Sequence, residues 1–174
     1  MKLKQYDWII GVDPDVDKLG VSFLDTEVKI PKLTSPTLTE FITYLKRIKT
    51  ESQRLNKNTI IVIEGGWNNT RTHRRSKYDN FGTASKKGYN VGRNHQRGMD
   101  IFQIAEYIGL EVTEQMPLKK IWKGREGKIT HEELAYFTGI EAKRTNQEER
   151  DATLIAWNYA NFPIRVNLTT IKRL

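Results

Sequence analysis

The chain has 174 residues, 37% hydrophobic and 29% charged, which suits one domain with a real core. It contains no cysteine, so disulfides, thiolate metal sites and cysteine nucleophiles are excluded, and a reducing cytoplasm fits. The net charge of +8 favours a polyanion such as nucleic acid or anionic lipid, while the first apolar run, Trp8 to Val12, is too short for a signal peptide or a membrane span.

Tyr6 to Val12 reads as a first strand and Gly20 to Leu24 as a second, with Asp25 beginning a turn. A short third strand is expected over Val28 to Leu33, limited by Pro31. Thr37 and Glu40 have capping-box spacing and open a helix with an apolar stripe at Leu38, Phe41, Ile42, Leu45 and Ile48. Thr59 to Ile63 is a contiguous apolar, mostly β-branched run, the pattern of a central parallel strand covered on both faces. Arg93 to Ile108 reads as a helix stopped by Gly109, followed by a strand at Leu110 to Thr113. Thr130 and Glu133 cap a short helix that Gly139 ends, and Asn146 and Glu149 cap the last helix, which runs to about Tyr159. Hairpin strands followed by alternating strands and helices predict an α/β fold: a mixed sheet with helices on both faces.

Charge is unevenly placed. Between Thr70 and Arg97 lie Arg71, Arg74, Arg75, Lys77, Lys86, Lys87, Arg93 and Arg97, against Asp79 alone. Tyr78, Phe81 and Tyr89 are interleaved with them. Cations attract phosphates and aromatic rings stack on unpaired bases, so the segment is a candidate nucleic-acid contact; the plain alternative is a solvated loop.

Two apolar strands end on carboxylates, at Asp13 and Glu64. Ligands of such sheets bind beyond the carboxyl ends of the strands. Parallel neighbours lie only ~4.8 Å apart, so two bare acids there would repel, and burial adds a desolvation cost. In the last helix Glu148 and Asp151 share a face, and Glu149 has capping-box spacing with Asn146, which favours Glu148 over the alternative Glu149 as the fourth ligand. Each acid alone also reads as a turn or first-turn residue. Together, Asp13, Glu64, Glu148 and Asp151 could hold two Mg²⁺ ions ~3.5–4 Å apart, with Mn²⁺ as a substitute, for phosphodiester hydrolysis. His73, His95 and His131 have no metal-ligand spacing, and no Gly-x-Ser-x-Gly supports a serine nucleophile.

These residues resemble a family. "IIGVDPDVDKLGVSFLD", "IVIEGGW", "VGRNHQRGMDIFQIAEYIGLEV", "EGKITHEEL" and "ERDATLIAWNYA" are similar, in order over almost the whole chain, to segments of RuvC-type Holliday junction resolvases in the ribonuclease H-like superfamily. The resemblance implies a five-stranded ribonuclease H-like fold over residues 1–174, a homodimer, and Mg²⁺-dependent cleavage of four-way DNA junctions. It carries the metal-binding acids onto Asp13, Glu64 and Asp151, with Glu148 in place of the fourth. It puts a basic catalytic residue at Lys128 and a second at Lys119 or Lys120. The chain departs from the pattern at Asp15, where the family has Gly, and at Leu19, where it has a small hydroxyl residue. Asp15 could therefore perturb the site or become an extra ligand. The stretch at about 68–92 is longer and more basic than the family's and is expected to be a junction-binding insertion, with Trp67, Tyr78 or Phe81 against an opened base pair. Rival readings are a same-fold nuclease for flaps, forks or RNA–DNA hybrids, a catalytically dead binding module, and an actin-type ATPase. That last fold duplicates the unit, and 174 residues without a second glycine-rich phosphate loop argue against it.

Overall fold

The structure, a computed structural model, describes residues 5–68 and 80–165. Its sheet has the order β3-β2-β1-β4-β5, with β1 Trp8–Asp13, β2 Gly20–Asp25, β3 Lys32–Thr34, β4 Thr59–Glu64 and β5 Glu111–Gln115. β1 pairs antiparallel with β2 and parallel with β4, β2 pairs antiparallel with β3, and β4 pairs parallel with β5. The helices are α1 Leu38–Arg54, α2 Phe81–Ile108, α3 His131–Thr138 and α4 Gln147–Tyr159. This is the expected mixed five-stranded α/β fold.

Period-two alternation explains why the central strands are apolar throughout. Ile10, Val12, Ile61 and Ile63 pack with Phe41 and Leu45 of α1 and Ile101 and Ala105 of α2. Ile9, Ile60 and Val62 face the other way, onto Ile155, Ala156 and Trp157 of α4. Each side thus buries its own set of side chains, at about 25 cal/mol per Å² of apolar surface removed from water. A third cluster, Ile129, Leu134, Ile140 and Leu154, joins α3 and the loop before it to α4.

The three capping boxes form as read: Thr37 with Glu40, Thr130 with Glu133, and Asn146 with Glu149. Two boundaries differ by more than two residues. The third strand begins at Lys32. Before it, Asp25 Oδ1 accepts the Glu27 and Val28 amides, and Lys29 takes a left-handed φ of 60°, which makes a turn of the stretch expected to be extended. Helix α2 begins at Phe81, well ahead of Arg93, with Asn80 Oδ1 accepting the Thr83 amide. Its first turns face solvent, so no apolar stripe marks them; Gly98 is its first buried residue.

Candidate active site

Alternation also aims the acids. Asp13 shares the α4 side of β1 with Ile9 and Gly11, and Glu64 shares that side of β4 with Ile60 and Val62. Val12 is opposite Ile63, so the next residues along the two parallel strands are Asp13 and Glu64. The other strand partner of Asp13 is Gly20.

Helix α4 lies close enough to complete the group because two glycines let it. A Cβ on Gly11 would stand 2.1 Å from the Ala152 carbonyl oxygen, and one on Gly20 would stand 2.0 Å from that of Glu148. No side chain fits at either contact. The helix therefore rests backbone-to-backbone on the hairpin, with Glu148 and Asp151 turned toward the strand ends.

The result is one cavity of about 270 Å³ whose walls include Asp13, Glu64, Glu148 and Asp151, with Lys119, Lys120 and Lys128. Glu149 stands apart. It closes the α4 capping box and accepts Ser35 Oγ at 2.9 Å. Asp15, Asn94 and Trp122 also line the cavity. Asp15 was visible only as a departure from the family pattern; Asn94 and Trp122 carried no signal of their own, because loop and helix geometry bring them in.

Lys120 and Lys128 arrive on a tightly folded loop. Trp122 N–H donates to the Gly127 carbonyl at 3.0 Å and Gly124 N–H to the Lys128 carbonyl at 2.9 Å. Gly127 has φ +74°, and a Cβ there would meet the Lys120 carbonyl oxygen at 2.6 Å, so a side chain would push Lys120 away from Lys128.

Electrostatics match this crowding. Burial raises the Asp13 carboxyl well above the usual range, Glu64, Asp151 and Glu148 raise it further, and Lys128 opposes them. Glu64 is raised by burial and then by Asp151, against Lys120, a hydrogen bond with Asp13 and Lys128. Asp151 is raised by burial, opposed by a hydrogen bond from Gln147 and by Lys128, Lys120 and Arg150. Burial and mutual repulsion thus favour the protonated form of these acids, and a bound cation would oppose both effects. Four carboxylates are a hard-oxygen donor set and fit Mg²⁺ or Mn²⁺ far better than a soft metal. Among the described residues no three acidic or histidine side chains are already drawn into a metal-holding cluster. The donor set is therefore defined by the shared cavity.

The remaining candidates lie elsewhere. Trp67, in a short 3₁₀ turn just past Glu64, packs its partly buried ring on Gly98 and against the α1–α2 core. Arg97 donates through Nη2 to the Val16 carbonyl at 3.3 Å, tying α2 to the turn after Asp13. Phe81, Lys86, Lys87 and Arg93 stand on the outer turns of α2, away from the cavity walls. Arg71, Arg74, Arg75, Lys77 and Tyr78 lie outside the described residues. Among the described residues no helix is long and apolar enough to cross a membrane.

Fold and site together define a class: an α/β domain with an acid-lined cavity at the carboxyl ends of its parallel strands. No family model and no curated protein matches the chain. Solved structures do resemble it. Thermus thermophilus RuvC in complex with a Holliday junction substrate is 17% identical, with 88% of this chain and 92% of that one covered and a TM-score of 0.45. A second Thermus thermophilus RuvC structure is 18% identical, with coverage of 88% and 93% and a TM-score of 0.43. The Fowlpox virus resolvase, solved with Holliday junction DNA, is 13% identical, with coverage of 88% and 97% and a TM-score of 0.37.

Proposed function

We propose that this protein is a metal-dependent, structure-selective endonuclease that hydrolyses phosphodiesters in four-way DNA junctions, working as a homodimer. The observation that carries the reading is the convergence of Asp13, Glu64, Glu148 and Asp151 with Lys120 and Lys128 on one cavity. The ordered sequence segments that resemble junction resolvases supply the substrate class.

Asp13, Glu64, Glu148 and Asp151 would hold the divalent cations, which when bound supply Lewis-acid activation of the phosphodiester and neutralise the acids. Lys128 and Lys120, which line the same cavity as the carboxylates, would hold the scissile phosphate and stabilise the negative charge that develops on its oxygens. The mouth of the cavity would receive the strand while the basic outer turns of α2, with Lys86, Lys87 and Arg93, hold flanking phosphates. Arg71, Arg74, Arg75 and Lys77 of the sequence would supply further charge for phosphates.

The test compares nicking of a synthetic four-way junction, a flap and an RNA–DNA hybrid, with and without Mg²⁺, by the wild type and Asp13→Asn. Paired nicks on the junction that require the metal and vanish in the variant, with binding retained, are expected. Preferred cleavage of flaps or hybrids would keep the chemistry and replace the substrate. Binding without cleavage in any divalent metal would overturn the enzymatic reading.

A further inference from the structure

The loop that carries Lys128 must be held against α4, where Asp151 sits. Its internal backbone bonds shape it without attaching it. One attachment is apolar, the packing of buried Ile129 in the cluster that includes Leu154 of α4. The polar attachment is Arg150. Its Nε donates to the carbonyl oxygen of Ile129, the residue after Lys128, at 2.8 Å. Its Nη1 donates to the Thr145 carbonyl and, at 3.1 Å, to Thr145 Oγ1. Its Nη2 donates to Gln147 Oε1 at 2.9 Å.

Gln147 passes the constraint on. Because its Oε1 faces a guanidinium, which can only donate, its amide is turned so that Nε2 donates to Asp151 Oδ1 at 2.8 Å. One side chain, one residue before an acid of the cavity, thus links the backbone beside Lys128 to the carboxylate of Asp151. A lysine could not replace it, since an ammonium on a flexible stem lacks the planar fork that reaches these acceptors together.

We propose that Arg150 is a positioning residue that fixes the Lys128 loop to α4 and, through Gln147, sets the orientation of the Asp151 carboxylate. The inference rests on the reading of this cavity as a phosphodiester-cleaving site and goes beyond it, because neither residue touches the reacting atoms.

The experiment pairs amide hydrogen exchange of the metal-free protein with junction-nicking kinetics. Arg150→Lys keeps the charge and loses the fork. Exchange across residues 122–130 should speed roughly tenfold while β1 and β4 are unchanged. The kcat should fall roughly 10–100-fold with KM little altered, as expected when a reacting constellation is loosened. Gln147→Met is the milder break and should show smaller changes of the same kind in both readouts. Combining Arg150→Lys with Lys128→Met should lose clearly less than the product of the two single losses, since part of the Arg150 effect passes through Lys128 and the rest through Asp151. Unaltered loop exchange in Arg150→Lys, or losses that multiply in the double variant, would overturn the proposal. If the wild type nicks no DNA, the functional reading fails, and the exchange measurement still decides whether Arg150 holds the loop.

Discussion

Gly20 lies directly against the backbone of Glu148: a Cβ at Gly20 would stand 2.0 Å from the Glu148 carbonyl oxygen and 2.2 Å from its carbonyl carbon. Gly20 is also the strand partner of Asp13. One hydrogen-sized side chain therefore sets the distance between the strand that carries the first acid and the helix that carries two more.

Gly20→Ala should push α4 off the hairpin, because the clash is with backbone and no rotamer relieves it. We expect a stability loss of about 1–3 kcal/mol and a fall in nicking of roughly 10²-fold, the cost of a misplacement near 1 Å. Urea unfolding and single-turnover cleavage read the two effects separately. A variant as active as the wild type would show that the acids need no such spacing.

Protonation gives a second prediction. Asp13, Glu64 and Asp151 have folded-state pKa values above their unfolded ones, chiefly through burial. The unfolded chain therefore releases these protons first as pH rises. Without divalent cations, stability from these groups is highest below the ordinary carboxylate range near ~4, falls as pH rises through it, and levels off above the raised folded values. The metal-free protein should accordingly melt higher at pH 5 than at pH 7, and Asp13→Asn should flatten the difference. Mg²⁺ should raise the wild-type melting temperature at pH 7, by the equivalent of about 2.7 kcal/mol at a hundredfold excess over its Kd. It should do so weakly or not at all in Asp13→Asn. A metal shift of equal size in both proteins would place the ion elsewhere.

Trp67 tests core packing against a role on DNA. A Cβ on buried Gly98 would lie 2.2 Å from the Trp67 ring, so indole and glycine fit each other. Trp67→Ala should cost roughly 3 kcal/mol of stability, and Gly98→Ala should also destabilise, by forcing the ring out. Trp67→Phe should retain most of the stability. Chemical denaturation decides: if Trp67→Ala unfolds like the wild type yet fails to open a junction, the ring acts on bases after all.

The outer turns of α2 supply the fourth prediction. Phe81 is 83% exposed and Tyr89 66% exposed, and Arg93 lies over the Tyr89 ring at 5.4 Å. Replacing Lys86, Lys87 and Arg93 together by Gln should leave the melting temperature unchanged. Junction affinity should fall, and the salt slope should shrink by about 0.9 for each duplex phosphate that is no longer neutralised. Cleavage at saturating DNA should persist. Filter binding across a salt series measures this; an unchanged slope would remove α2 from the DNA surface.

Much of this architecture is legible in the residues because the signals are local. The capping boxes at Thr37, Thr130 and Asn146 pair a side chain with an amide three residues on, so the chain carries them complete. The continuous apolar run of Thr59 to Ile63 implies cover on both faces, and α1, α2 and α4 supply it. The outer half of α2 was hidden for the opposite reason: a helix that buries nothing leaves no periodic trace. The strand expected from Val28 was overruled by the Asp25 side chain, which captures the following amides in a turn.

By itself, then, the amino-acid order determined which residues are candidates for the chemistry: strands that stop at Asp13 and Glu64, and a helix that presents Glu148 and Asp151 on one face. Only the tertiary structure decided that these meet in one cavity. That depends on parallel register between β1 and β4, on the absent side chains of Gly11 and Gly20 beneath α4, and on the forked reach of Arg150 to a loop about twenty residues before it. Such pairings join residues distant along the chain, where no periodicity links them, so they exist only once the backbone has closed.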